Sequence, residues 1–207
     1  MAIHQELTSG AGYCLGYSLT PAELQTVRTL ITRQYLDHLR VLAPELVPAA
    51  EAAGVDGYHT LTLPFDHSSS WPKETRLLPN VHVADFAKMD FVAKIAEQFG
   101  PVIISHDELN WRLVRPLQPT DIGPIHADGW FWDAGYGSMP AGYDDRFKIW
   151  IAIHTEPGAN GLMVLPDSHT SKQWKHHFEV RDGIRKPVLD EKPEDLPMKL
   201  LPFLPGQ

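Results

Sequence analysis

The sequence has little of what marks several common classes of protein. Cys14 is its single cysteine, which excludes an internal disulfide framework and fits a reducing compartment. No apolar run approaches the ~20 residues that a membrane-spanning helix needs. The first ten residues also lack the basic start and apolar core of a secretory signal. We therefore expect a cytoplasmic protein with no membrane partner.

Positive charge is scarce as well. The chain has 18 Lys and Arg against 26 Asp and Glu, a formal net charge of -8, and its basic residues are spread along the sequence. This balance argues against a nucleic-acid partner. With 207 residues, 43% of them hydrophobic, and no repeat or linker, the chain is long enough for one well-filled core. We predict a single domain over residues 1–207.

The first hundred residues carry helix signals. Thr20-Pro21-Ala22-Glu23 combines an N-cap threonine, a proline in the first helical position and a glutamate that completes a capping box. Apolar residues at helical spacing continue to about Leu42, which predicts a long amphipathic helix that packs on a sheet. A second helix is predicted from about Asp85 to Gln98, with Gly100 as its stop. Residues 43–82 are rich in Pro, Gly and Ser and predict irregular surface.

Residues after 100 show strand patterns separated by Gly, Pro and Asp turns. The predicted strands include residues 101–104, 109–116, 147–153 and 162–165. Helices followed by antiparallel strands indicate an α+β, mainly β fold with a sandwich or jelly-roll core. Residues 1–100 would then form a helical part that packs on the sheet, and residues 101–207 the β core.

His126 and Asp128 are the candidate metal ligands. If the stretch Pro124–Trp132 is a strand, side chains two residues apart point to one face and can bind one ion. Imidazole and carboxylate are two of the three ligands in the 2-His-1-carboxylate triad that holds Fe(II). The alternative is an ordinary turn at Asp128-Gly129. The spacing alone is not specific, because it recurs at His106/Glu108, His154/Glu156 and His177/Glu179.

A second motif gives this pair its context. The run Asn160-Gly161-Leu162-Met163-Val164-Leu165-Pro166-Asp167-Ser168-His169 follows a loop rich in glycine and aromatic residues and a predicted strand with Trp150 at its centre. Together the two motifs resemble the phytanoyl-CoA dioxygenase-like group of Fe(II)/2-oxoglutarate oxygenases. That group typically shows an N-G-x-L-x-x-x-P-G-S-H run after its metal strand; this chain departs from it mainly by Asp167 in place of the glycine, and its run is one residue shorter. The resemblance extends from the Thr20 helix to the C-terminus.

The resemblance implies a double-stranded β-helix, a jelly roll, with Fe(II) held by His126 and Asp128 near an open end. It also implies a distal histidine as third ligand, and an arginine for 2-oxoglutarate, on strands beyond Gln207. The C-terminal part of the β core would then be missing from this sequence. Within the chain, His154 and His169 are the alternative sources of a third ligand.

Three further residues match positions that contact the co-substrate 2-oxoglutarate in the resembling group. These are Asn110, Arg112 and Trp150. 2-Oxoglutarate chelates iron through its keto oxygen and one carboxylate, so its far carboxylate needs a cationic or hydrogen-bonding partner. The ordinary alternatives are a surface ion pair for Arg112 and core packing for Trp150.

The function implied by the resemblance is hydroxylation of a small-molecule substrate by O₂. 2-Oxoglutarate would be decarboxylated to succinate and CO₂ in the same turnover. Residues 132–146 would form a mobile lid, or else a long surface loop, and residues 171–190 would help to set specificity. Two alternatives remain: a non-catalytic jelly-roll binding protein without a complete iron site, and a zinc-dependent hydrolase or isomerase of cupin-like fold.

Overall fold

The computed structural model describes residues 3–105, 107–137, 139–143, 145–181 and 183–207. The chain divides into two compact units, which we name for their places in the sequence. The terminal unit comprises Met1–Ser18, Asp90–Ile103 and Pro124–Gln207, and the central unit comprises Leu19–Met89 and Ile104–Gly123. This division does not test the prediction of one domain over residues 1–207, which stays a prediction.

Helices outnumber strands in the described residues. The α-helices are α1 (Ile3–Thr8), α2 (Pro21–Leu42), α3 (Val47–Ala53), α4 (His67–Ser70), α5 (Lys73–Arg76), α6 (Val83–Phe86), α7 (Asp90–Phe99), α8 (Asp128–Asp133) and α9 (Ser168–Ser171). Single 3₁₀ turns lie at Pro44–Leu46, Tyr58–Thr60, Asn80–His82, Pro119–Asp121 and Pro193–Asp195. The strands are β1 (Met163–Val164), β2 (His176–Arg181), β3 (Ile184–Leu189) and β4 (Lys199–Leu200). None of these helices has the length and apolar character that crossing a bilayer requires.

Helix α2 is the longest element of the central unit, and its start is set by the predicted capping box. The Thr20 hydroxyl accepts a hydrogen bond from the Glu23 backbone at 3.3 Å, and the Glu23 carboxylate accepts one from the Thr20 backbone at 2.7 Å. The two bonds satisfy N–H groups that would otherwise have no partner in the first turn. The predicted helix from Pro21 to Leu42 is therefore confirmed.

Aromatic rings fill the core of the central unit. Helix α2 buries one side chain per turn there, at Val27, Ile31, Tyr35 and Leu39. The Tyr35 ring stacks on Trp71 at 5.6 Å, and Tyr58 meets both rings edge-on at 5.9 Å. Edge-to-face and offset contacts of this kind add stability beyond the area that they bury. The region predicted as irregular surface thus supplies Tyr58 and Trp71, two of the buried rings of this core.

The second predicted helix is present as two shorter ones. Helix α6 ends at Phe86 and α7 begins at Asp90, so the predicted continuous helix from Asp85 to Gln98 is wrong at its start. Helix α7 ends at Phe99, where Gly100 takes the left-handed φ of 79°. Glycine adopts this conformation without steric cost, so the predicted stop is confirmed.

The terminal unit has a small core and two separate strand pairs. Strand β1 pairs antiparallel with β4, and β2 pairs antiparallel with β3 from His176 opposite Leu189 to Arg181 opposite Ile184. One buried cluster consists of Ala152, Leu201 and Phe203, against which Tyr13, Leu15, Leu162 and Val164 pack. Strand β1 and the residues before it are thereby held by the C-terminal segment.

The predicted jelly roll is wrong. A jelly roll needs about eight strands in two sheets, whereas the described residues form two sheets of two strands each. Residues 147–153 form no strand, although the backbone of Ala152 is hydrogen-bonded to Gly206 and Gln207, both at 2.6 Å. The predicted strand 109–116 makes a single bridge, between Asn110 and Leu77. An alternating pattern gives a segment an extended backbone but does not supply the partner that makes it a strand.

Candidate functional site

His126 and Asp128 lie at the start of a helix. Pro124 to Ala127 form an extended lead-in, which β3 holds through a hydrogen bond from the Leu189 backbone to the Ile125 carbonyl at 3.1 Å. Helix α8 then begins at Asp128, with Ala127 as its N-cap. The prediction that Pro124–Trp132 is a strand is therefore wrong. The structure still brings the two side chains together, because the chain turns into the helix between them.

The His126 ring is oriented by a backbone carbonyl. Its Nδ1 lies 2.7 Å from the carbonyl oxygen of Pro124. Because that oxygen can only accept, Nδ1 carries a proton, and in the neutral ring Nε2 is left with a lone pair. Nε2 faces Oδ1 of Asp128 at 3.8 Å. Two electron-pair donors thus face each other, and a proton or a metal ion between them would relieve their repulsion.

Asp128 has the charge state that a metal-coordinating carboxylate needs. A hydrogen bond from His126, which forms when a proton lies on Nε2 between the two groups, lowers the pKa of the Asp128 carboxyl below its ordinary value, and the Lys148 charge acts in the same direction against partial burial. The carboxylate is therefore ionised at neutral pH. The side chains of His126 and Asp128 are 29% and 38% exposed, so an ion or small molecule can reach both from solvent.

Aromatic rings support the pair. The Phe131 ring meets the His126 imidazole edge-on at 4.9 Å, and Tyr136 packs on Phe131 at 5.8 Å. The Tyr136 hydroxyl donates to the Arg185 carbonyl on β3 at 2.8 Å. The imidazole is thus fixed by a hydrogen bond and a ring contact, which lowers the entropy that it would lose on binding an ion.

A metal ion fits part of this geometry. Bonds of about 2.1 Å to one ion place two ligand atoms about 3.0–3.4 Å apart, so the observed 3.8 Å needs only a small adjustment by exposed side chains. A second ring nitrogen that donates to a carbonyl is also common among metal-binding histidines. Among the described residues, however, no group of three or more His, Cys, Asp or Glu side chains is placed to hold one ion. The pair supplies two ligands.

The other histidines considered as ligands, either from the same two-residue spacing or as a third ligand, have different surroundings. His106 lies outside the described residues. His177 lies between two carboxylates, 2.7 Å from Asp190 and 3.1 Å from Glu179, and these raise its pKa. His169 packs over Gly12, where an added Cβ would come within 2.7 Å of the ring nitrogen. His154 and His169 do not join the pair in any described ligand group.

The three predicted co-substrate contacts lie in different units. Asn110 and Arg112 belong to the central unit. There the Asn110 amide donates to the Glu108 carbonyl at 2.9 Å, and the Arg112 guanidinium donates to the Asp121 carbonyl at 3.0 Å. Trp150 belongs to the terminal unit, and its ring is tilted against Phe203 at 4.8 Å. Contact of these residues with 2-oxoglutarate stays a prediction.

Sequence reasoning missed a buried polar network in the central unit. The carboxylate of Asp121 accepts two hydrogen bonds from the Arg115 guanidinium, both at 2.8 Å, and lies 3.4 Å from Nε2 of His67. Nδ1 of His67 is 3.1 Å from the Tyr58 hydroxyl, which accepts a hydrogen bond from Trp71 at 2.9 Å. The available signal was the clustering of ionisable residues within segments that otherwise look like surface loops.

Burial shifts the acid–base properties of this network. Desolvation lowers the pKa of His67, and it raises the pKa of Tyr58 to about 12. Desolvation also opposes ionisation of Asp121, but the hydrogen bonds from Arg115 outweigh it and hold the carboxyl pKa below its ordinary value. The network therefore contains a neutral imidazole and an ionised carboxylate at neutral pH.

Comparison with protein-family models, with curated proteins and with solved structures finds no match to this chain. The resemblance to the oxygenase group therefore rests on the two sequence motifs alone. Any function assigned to the His126/Asp128 pair has to be argued from its own geometry.

Proposed function

We propose that this chain is an Fe(II)- and 2-oxoglutarate-dependent oxygenase that hydroxylates a small molecule, with His126 and Asp128 as two of the protein ligands. One observation carries the proposal. The Pro124 carbonyl holds the proton of His126 on Nδ1, so that the lone pair of Nε2 faces an ionised carboxylate at 3.8 Å. The run from Asn160 to His169 gives this pair its sequence context.

The residues of the site have separable roles. Asp128 neutralises charge and stays ionised because of His126, while Pro124 keeps the ring in the tautomer that binds through Nε2. When bound, Fe(II) with 2-oxoglutarate and O₂ supplies the oxidising power to hydroxylate a C–H bond, and 2-oxoglutarate leaves as succinate and CO₂. Phe131 keeps the His126 ring in place through an edge-on contact, and Tyr136 packs on Phe131. A cytoplasmic location is part of this proposal.

A second candidate is a binding protein without catalysis. One observation favours it: the described residues provide two ligand side chains at this place, and no third His, Cys, Asp or Glu completes the set. A two-ligand site holds an ion loosely and leaves most of its coordination positions to solvent or to a bound chelator. Such a protein would bind a metal chelate but would not form succinate.

The test is an anaerobic titration of the chain with Fe(II) and 2-oxoglutarate, followed by the visible charge-transfer absorption of the chelate. The proposal expects a band that His126→Ala and Asp128→Ala each abolish. The matched control is His177→Ala, which removes an exposed histidine that is held by two carboxylates of the same unit. This control should keep the band.

Admission of O₂ to the loaded protein then separates the two candidates. Formation of succinate that depends on His126 supports the oxygenase. A band without succinate favours the binding protein. If the native chain gives no band, or if both alanine variants keep it, the proposed metal site is wrong.

A further inference from the structure

The central unit contains an open pocket that is separate from the His126/Asp128 pair. Its volume is about 360 Å³, which lies within the range of small-molecule sites. Apolar side chains line one part of it and polar side chains another. The lining residues used below are Tyr58, His59, Asp66, His67, Arg115 and Gln118.

The wall of this pocket is rigid. Tyr58 and His67 are 1% and 6% exposed, their side chains are hydrogen-bonded to each other, and Nε2 of His67 lies 3.4 Å from the carboxylate of the buried Asp121. Two hydrogen bonds from Arg115 to Asp121 fix the guanidinium as well. A rigid wall loses little conformational entropy when a ligand binds, which favours affinity.

The pocket retains hydrogen-bonding capacity of both kinds. Nδ1 of His59 is 3.0 Å from the Asp56 carbonyl, so its proton lies there and Nε2 can accept. Oδ2 of Asp66 caps α4 by accepting from the Ser69 backbone and hydroxyl, which leaves Oδ1 available. Within the described part of the chain, the Gln118 amide and Nη1 of Arg115 make no hydrogen bond. Residues with an available donor and residues with an available acceptor therefore line the same pocket.

The charges of the pocket disfavour a simple ion. The Arg115 guanidinium is already neutralised by the Asp121 carboxylate, and the nearby Asp66 carboxylate would repel an anion. A cation would meet one carboxylate, Asp66, which is already engaged as the cap of α4 by the Ser69 backbone and hydroxyl. The pocket therefore suits a ligand whose groups can both donate and accept hydrogen bonds, and the hydroxyl group does both. Leu61, Leu63, Phe65 and Pro116 provide apolar surface for the C–H groups of such a ligand.

We infer that the central unit binds a small neutral molecule with several hydroxyl groups, of the size of a monosaccharide or cyclic polyol. Gln118, Asp66 and His59 form hydrogen bonds to its hydroxyls, and Arg115 donates from Nη1. This inference does not depend on the proposed iron chemistry. It assigns a second binding site to residues that the His126/Asp128 site does not use.

Ligand-observed saturation-transfer NMR on the full chain tests the inference. The probes are D-glucose and myo-inositol, compared with glycine as a zwitterion and with inorganic phosphate as an anion. We expect saturation transfer to a polyol and none to glycine or phosphate. Gln118→Ala and Asp66→Asn should each weaken polyol binding about three- to tenfold, the effect of one lost hydrogen bond.

The variants are chosen to keep the fold. Gln118 is exposed, and asparagine caps a helix about as well as aspartate. Both variants should therefore have the same unfolding temperature as the native chain. Gln5→Ala, at an exposed glutamine in the terminal unit, is the matched control and should bind as the native chain does. The inference is overturned if neither polyol shows saturation transfer, if glycine or phosphate binds instead, or if both pocket variants bind polyol unchanged. The NMR experiment is carried out without added Fe(II). A negative result for polyol binding is therefore distinct from a negative result for the oxygenase proposal.

Discussion

The pair His67/Asp121 in the central unit and the pair His126/Asp128 in the terminal unit consist of the same two side chains at similar separations, 3.4 and 3.8 Å. They differ in what surrounds them. His67 and Asp121 are buried, and each is held by further hydrogen bonds, to Tyr58 and from Arg115. His126 and Asp128 are open to solvent, and the histidine has one anchor at Pro124.

This difference separates structural roles from binding roles. A buried charged group is stable only when its neighbours satisfy it, so the side chains of His67 and Asp121 themselves have little capacity left for a ligand. The exposed pair has no such requirement, and its Nε2 and carboxylate retain electron pairs that face each other. The same two residue types thus serve the fold in one unit and are available for chemistry in the other. Four predictions test this contrast.

Removal of the aspartate should have the largest effect on unfolding free energy, and the loss should differ strongly between the two pairs. Asp121→Ala leaves Arg115 and His67 without their carboxylate in a buried site, and we expect a loss of about 3–5 kcal/mol of unfolding free energy. Asp128→Ala changes an exposed site and should cost less than about 0.5 kcal/mol. Urea denaturation of both variants measures the difference. Equal losses would remove the distinction between the two pairs.

Acid should weaken the buried pair next. Burial holds the folded pKa of His67 below 6.5, so the unfolded chain takes up its proton first as the pH falls. The stability contribution is complete above pH 6.5 and is lost as the pH falls toward the folded pKa. His177 acts in the opposite sense, because its pKa is raised and its contribution is lost as the pH rises.

The corresponding measurement is unfolding free energy against pH for the native chain and for His67→Gln. The variant should lose the part of the acid-side slope that lies just below pH 6.5. His177→Gln is the exposed comparison, and it should instead lose the stability contribution that disappears as the pH rises, because the pKa of His177 is raised. An unchanged slope in His67→Gln would show that the buried imidazole does not govern acid stability.

Tyrosine hydroxyls should then show which buried polar groups the network satisfies. The Tyr35 hydroxyl is buried and has no hydrogen-bond partner among the described residues. Tyr35→Phe should therefore raise the unfolding free energy by about 1 kcal/mol. Tyr58→Phe removes the partner of His67 and Trp71 and should lower it by about 1–2 kcal/mol. Thermal unfolding of the two variants should give shifts of opposite sign; shifts of the same sign would contradict the assigned partners.

The smallest effects on stability are expected at two residues with a left-handed backbone conformation, one in each unit. Leu117 and Asp167 both have φ of 58°, and Leu117 is 99% exposed. Leu117→Gly should stabilise by about 0.5–1 kcal/mol, because glycine adopts this conformation without steric cost. Asp167→Gly should gain less, since aspartate tolerates the left-handed region better than leucine. Differential scanning calorimetry can rank the two, and a larger gain at Asp167 would contradict the steric explanation.

Local signals were sufficient for some elements. The Thr20 capping box fixed the start of α2, and Gly100 fixed the end of α7, because both depend on residues within one turn of the chain. Position 167, where the resembling oxygenases have glycine, has the left-handed backbone that glycine adopts most easily. The proximity of His126 and Asp128 also follows from their two-residue spacing, although a helix start and not a strand produces it.

The remaining features depend on distant partners. Residues 147–153 have a clear strand pattern, but a strand requires pairing with a second segment, and the described residues form no strand there. His67 and Asp121 are 54 residues apart in the sequence, and nothing local marks either as buried. The jelly-roll prediction and the missed polar network therefore have the same cause: both concern contacts that the local pattern does not encode.

The division of the chain into discontinuous units also has a consequence during synthesis. The central unit is complete once Gly123 has been added, when all of Pro124–Gln207 is still to be made. Since a chain emerges from its N-terminus, the Tyr58, His67 and Asp121 network can form on the nascent polypeptide, before the His126/Asp128 pair exists. Met1–Ser18, although synthesised first, must wait for the last segment to fold with it.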